Sequence, residues 1–363
     1  MTILRRGVPD RVGVTTYELS GLDSGRPMSD PGYAELARMQ RELGDVFAHA
    51  GADFGTGVGD PNVVAEGSAD LSASQRQTTT IPTPKGDLTA SARRDPGNLT
   101  WWQIKALIES PEDCRRWLSL PAKPSNGDAS DILRLQRELG EEGLVLAGPG
   151  DALGLVCGMF HYDRFAMILL EDEGLIVEML AAMSERLNDG LRKLCPQVKG
   201  VCFRFWGPEY SGAPLLNPHK YFGKLVVDFD KEAVRIVNES GNFSIIHAHG
   251  YLSGIIDGII ELHPTALEPL EVAPAKTADV TIEQLKVRLG GKMALMGGIQ
   301  AGELELLAPR QVDARVKEIL AVAAKGGGFC LLPTSAPIEV PLRPAVVENY
   351  RAYFHAAHKY GTY

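Results

Sequence analysis

FSIIHAHGYLSGIIDGIIELHPTALEPL, residues 243–270, is the stretch that decides the fold. Phe243 to His247 is a short, continuous apolar run, Ala266 to Leu270 is another, and residues 251–261 between them carry a helical pattern. Continuous rather than alternating apolar runs suit strands covered on both faces, and a helix joining two of them makes a parallel βαβ unit. The first strand ends in His247-Ala248-His249-Gly250, and the second contains Glu268 and is followed by Glu271.

The same unit recurs on both sides. Upstream, Gly143 to Ala147 and Val201 to Phe205 read as strands, with helical stretches over 153–170 and 175–194 between them and another near 219–240. Downstream, helices near 281–289 and 311–325 precede strands at Met293 to Met296 and Gly328 to Leu332. The first half adds Val12 to Tyr17, a helix at 33–49 and a strand at Ala52 to Phe54, bringing the count to eight. The economical solution is a (β/α)8 TIM-type barrel forming one domain over residues 1–363, with an open doubly wound sheet as the alternative. Residues 56–100 break the alternation. Rich in Thr, Gly, Ser and Pro, they read as an excursion of loops and hairpins over one barrel end, closed by Trp101 and Trp102 as packing residues.

The bulk composition sets limits. The chain has 363 residues, 44% hydrophobic and 23% charged, with a formal net charge of −9. That acidity argues against nucleic acid or an anionic membrane as the main partner, since phosphate binding draws on clustered Lys and Arg. Five scattered cysteines without a C-x-x-C pair suit reduced thiols. No apolar run is long enough for a signal peptide or a membrane span, so a cytoplasmic protein is expected.

In such barrels the loops after the strands form the active face. Side chains alternate along a strand, so His247 and His249 point the same way, and two imidazoles with a nearby carboxylate are a ligand set that suits zinc. They read equally as hydrogen-bonded structural residues or substrate binders. Glu268, in an otherwise apolar strand, needs a partner: a metal, an Arg or a substrate. Glu209 is either functional or a helix cap or solvated loop residue. Tyr17 and Glu18 face the same rim. Gly250 permits a sharp turn or close ligand approach. Cys330 reads as core, and Gly326 to Gly328 as a helix end rather than a phosphate loop.

These strand ends, taken with Arg11 to Glu18, Gly207-Pro-Glu-Tyr210, Gly297-Gly-Ile-Gln300 and Pro344 to Asn349, resemble the uroporphyrinogen decarboxylase superfamily. That superfamily includes zinc-dependent methyltransferases that exchange methyl groups with corrinoid proteins. The resemblance implies a (β/α)8 barrel. It lies nearer the methyltransferase branch, because the N-terminal segment that binds porphyrinogen carboxylates and the His after the last strand are absent. On this resemblance His247, His249 and Glu268 are expected as zinc ligands, with Glu209 the other carboxylate able to complete the set. Glu209, Glu268 and Tyr17 are expected in catalysis, and Gly250 and Gln300 against the cofactor. The corrinoid would be carried by a separate protein. The branch pattern places Cys where His249 stands, and another after the last strand, where Ser335 stands unless Cys330 substitutes by a register shift. Two imidazoles and a carboxylate give a harder site than thiolates, suited to an oxygen substrate. The alternatives are a metal-independent decarboxylase or lyase binding an organic acid through Arg204 or Arg11, a metal hydrolase, and a non-catalytic binding protein.

Overall fold

The computed structural model describes residues 1–22, 26–67 and 71–363. The chain opens with β1 (Gly13–Val14), α1 (Pro31–Leu43) and β2 (Val46–Ala50). A separate set of strands follows: β3 (Asn62–Glu66), β4 (Gln75–Ile81), β5 (Leu88–Arg94) and β6 (Trp101–Lys105). Then come α2 (Pro111–Leu118), α3 (Ser130–Leu139), β7 (Gly143–Ala147), α4 (Ala152–Cys157), α5 (Tyr162–Glu171), α6 (Glu173–Leu194) and β8 (Cys202–Phe205). After β8 a 3-10 turn (Pro208–Ser211), α7 (Pro218–Phe222), a π turn (Gly223–Val227) and α8 (Asp228–Glu239) lead to β9 (Phe243–His247). The chain finishes with α9 (Ile256–Leu262), β10 (Ala266–Leu270), α10 (Ile282–Leu289), β11 (Ala294–Ile299), α11 (Ala301–Leu306), α12 (Pro309–Ala323), β12 (Phe329–Pro333) and α13 (Pro344–Tyr360).

Eight strands form one parallel sheet in the order β1-β12-β11-β10-β9-β8-β7-β2, curled as in a TIM-type barrel. The two end strands meet through Asp45. Its N–H donates to the Val14 carbonyl at 2.7 Å, and its Oδ2 accepts the Val14 N–H at 2.9 Å. Arg11 grips the same carboxylate with two nitrogens, at 2.9 and 3.0 Å. Arg11 is therefore part of the seam, and the expectation that it serves a substrate acid is corrected.

Strand alternation divides the core into two layers. Phe243 and Ile245 of β9, Cys202 of β8 and Ala266 of β10 point inward, with Met296, Cys330 and Leu332, and fill the barrel. Ile246, Phe203, Phe205 and Leu267 point outward and pack with the surrounding helices. Continuing the inward series by two residues brings Arg204, His247 and Glu268 to the top of the barrel interior.

Three expectations are revised. The first helix ends at Leu43, and the strand after it is Val46–Ala50, not Ala52–Phe54. Gly44, with an extended backbone, breaks the helix, and Val46 and Phe47 have the β-branched and aromatic character that suits a strand. The excursion is more ordered than loops and hairpins: β3 to β6 form a four-stranded antiparallel sheet. It is joined to the segment after β12, where Leu99 and Val340 exchange backbone hydrogen bonds with Ile338 and Gly97. Trp101 and Trp102 are not packing residues. They lie on an edge strand, 40% and 49% exposed. No helix among the described residues is long and apolar enough to cross a membrane.

Candidate metal centre

His247 ends β9 and His249 lies two residues beyond, their ring centroids 4.8 Å apart. The same-face expectation holds because both continue the inward series of Phe243 and Ile245. Glu209, on the 3-10 turn after β8, joins them: one potential ligand atom from each of Glu209, His247 and His249 lies within 4.8 Å of the others. Glu209 Oε2 accepts the His249 backbone N–H at 3.0 Å, which leaves its other oxygen available.

Glu268 takes a different place from the ligand role expected of it. Its side chain is fully buried, with Oε1 3.2 Å from His247 Nδ1 and 2.7 Å from Arg204 Nε. It thus stands behind His247 and is not in the three-residue group. Glu271 does the same for His249, with Oε1 2.6 Å from Nδ1. Each imidazole therefore has Nδ1 held by a carboxylate, which leaves Nε2 as the nitrogen for a ligand. This is how metal-binding histidines are commonly fixed in tautomer and orientation.

The role of Glu271 was not legible in the sequence. Glu268 and Glu271 are three residues apart, and a regular strand would turn them to opposite faces. The register between β10 and β11 shifts between Leu267 and Leu270, an irregularity that lets both reach the histidines.

The electrostatics follow from this packing. Burial disfavours a charged His247 and outweighs the pull of Glu268, so its pKa falls below 6.5 and the ring is a neutral donor. Burial also opposes charge on His249, but its hydrogen bond to Glu271 and the field of Glu209 raise its pKa above 6.5. Burial works against the Glu268 carboxylate as well, yet Arg204 and His247 hold its pKa below the usual carboxylate range. Tyr17 rises well above 10 through burial and then the nearby Glu268 charge. The Arg204 guanidinium lies over the Tyr17 ring, 4.7 Å from its centroid.

A cavity of about 160 Å³ opens on this cluster, lined by Tyr17, Glu18, Arg204, His247, His249 and Ser335, together with Arg26 and Thr334. Tyr17 and Glu18 thus stand at the rim as expected. Glu18 has φ of +53°, a conformation rare outside glycine, and pairs with Arg26 at 2.8 Å. Arg26 was missed because it lies in a loop without periodicity. Ser335 is at the site, whereas Cys330 is buried lower in the barrel, beside Gly13 and Met296 in the registers of β1 and β11. No register shift brings the thiol up.

Gly250 has φ of +79° and makes the turn after His249, with open space where a side chain would project. Gln300 lies behind the cavity wall, accepting from the Thr334 hydroxyl at 3.3 Å while its N–H donates to Glu303.

Among the described residues, Glu18, Glu209, Glu268 and Glu271 face Arg26 and Arg204 around this site, an excess of two carboxylates. Two imidazole nitrogens, a carboxylate oxygen and that charge excess fit a divalent cation such as zinc.

No protein family and no curated protein matches the chain. Among solved structures, it is similar to a methyltransferase from Methanosarcina mazei, with a TM-score of 0.61 and 13% identity over 99% of this chain and 96% of that one.

Proposed function

We propose that this chain is a zinc-dependent methyltransferase that moves a methyl group between a small substrate and a corrinoid carried by a separate protein. The observation that carries this reading is the convergence of Glu209 on His247 and His249, the two imidazoles lining a cavity on the C-terminal face of the barrel. The resemblance to the methyltransferase branch of the uroporphyrinogen decarboxylase superfamily, and the name of the similar solved structure, support the reaction class.

Glu209, His247 and His249 would hold the metal, which supplies Lewis-acid activation of a substrate oxygen or sulfur when bound. The donor set, poor in thiolate, favours an oxygen substrate such as a methoxy compound or alcohol. The chain's own residues do the rest. Glu268 and Glu271 keep both Nδ1 atoms engaged, Arg204 balances the Glu268 charge, and Tyr17, Glu18 and Ser335 shape the pocket. The test is to mix zinc-loaded protein with methylcobalamin and a panel of small alcohols, phenols and thiols. Chelator-sensitive loss of the methyl–cobalt absorbance is expected; no transfer to or from the corrinoid by fully loaded protein would overturn the proposal.

A second reading, a metal-independent decarboxylase acting on an organic acid, is favoured by one observation: Arg204 and Arg26 both line the cavity. It requires turnover that chelation leaves intact.

A further inference from the structure

Glu209 sits on a four-residue turn, not on a strand, so something must fix its reach toward the histidines. The turn is held on both sides by the neighbouring βα unit. On the entering side, the Gly207 N–H donates to Asp151 Oδ2, while Asp151 Oδ1 accepts the Gly154 N–H at 2.7 Å and so caps α4. On the leaving side, the Tyr162 hydroxyl donates to the Tyr210 carbonyl at 2.6 Å, and the two rings stack with centroids 6.2 Å apart.

This contact is built tightly. Asp151 is fully buried, and a Cβ at Gly207 would lie 1.8 Å from its Oδ1, so only glycine permits the approach. Trp206 packs on Gly154, where a Cβ would come within 2.8 Å of the indole. Between these two anchors Glu209 is presented to His249, whose N–H it accepts.

We infer that Asp151 and Tyr162 are positioning residues that set the affinity of the metal centre by clamping the turn that carries Glu209. The inference rests on the metal-binding reading above. Groups that orient ligands change metal affinity by roughly tenfold to a hundredfold when removed. A residue that only holds the fold would change stability instead.

The experiment compares wild type, Tyr162→Phe and Asp151→Asn in three measurements: Zn²⁺ affinity by chelator competition, the visible spectrum of the Co²⁺-substituted protein, and the melting temperature of the metal-free protein. Tyr162→Phe deletes one hydroxyl and nothing else. It is expected to weaken Zn²⁺ binding about tenfold and to alter the Co²⁺ bands. Its metal-free melting temperature should move by no more than about 3 °C. Asp151→Asn should weaken binding further, since an amide presents a donor to one of the two N–H groups; if it does not fold, Tyr162→Phe decides alone. Wild-type Zn²⁺ affinity and Co²⁺ spectrum in Tyr162→Phe would overturn the clamp and leave the metal site standing. A wild-type protein that takes up neither ion would overturn both.

Discussion

Replacing Glu268 with Gln removes the one negative charge shared by Arg204 and His247. At 2.7 Å and an effective dielectric of about 20, the gross attraction between Glu268 and Arg204 is about 6 kcal/mol. Much of that offsets the desolvation of both groups, and breaking a buried pair from one side typically costs about 3–5 kcal/mol. The Arg204 side chain is 14% exposed, so water relieves part of the loss, and about 3 kcal/mol is expected. Arg204 Nε meets Glu268 directly and Nη2 has no hydrogen-bond partner, so the Glu268 charge is the main compensation for the guanidinium. The assay is urea unfolding of metal-free wild type, Glu268→Gln, Arg204→Met and the double variant. The double should regain at least about 2 kcal/mol relative to the sum of the singles, because it leaves no orphaned charge. Additive effects, or a cost below about 1 kcal/mol for Glu268→Gln, would refute the reasoning.

Three other outcomes follow from the structure. Asp45→Ala, which frees both Arg11 and the Val14 N–H at the barrel seam, should lower stability by about 1–2 kcal/mol in chemical unfolding and leave zinc affinity unchanged. Burial raises the Asp151 carboxyl to about 6, against the N–H bonds from Gly154 and Gly207. The folded state therefore keeps a proton that the unfolded chain releases near 3.9, and up to about 3 kcal/mol of stability present below 3.9 is lost as the pH rises through 6. Unfolding of metal-free protein between pH 4 and 6.5 should show a steeper slope in wild type than in Asp151→Asn, where the buried Asp230 carboxyl, also raised, still contributes. Trp101→Ser and Trp102→Ser, at an exposed sheet edge, should each change stability by less than about 0.5 kcal/mol.

The parts of the fold that were readable are those where periodicity and burial agree. Gly143–Ala147, Phe243–His247 and Ala266–Leu270 occupy the residues expected of them, because each is a continuous apolar run bounded by polar or turn residues. The His-x-His pair was readable for a related reason: strand alternation depends on spacing alone. What was not readable depends on contacts across the chain. β3 and β6 are exposed along nearly their whole length, so no apolar rhythm marks them as strands. The choice between Glu209 and Glu268 as third member of the cluster turned on Arg204, which claims Glu268 from two strands away. Glu271 needed a register shift, and the Asp151 and Tyr162 anchors needed the approach of two loops 56 and 48 residues apart in sequence.

The central claim is that Glu209, His247 and His249 form a metal centre. Its most direct test is the metal content of the purified protein after equilibration with Zn²⁺ and removal of the excess, compared with a His247→Ala/His249→Ala double variant. One zinc per chain in the wild type and none in the folded double variant is the predicted result. A wild type without bound metal, or a double variant that retains the full complement, would contradict it.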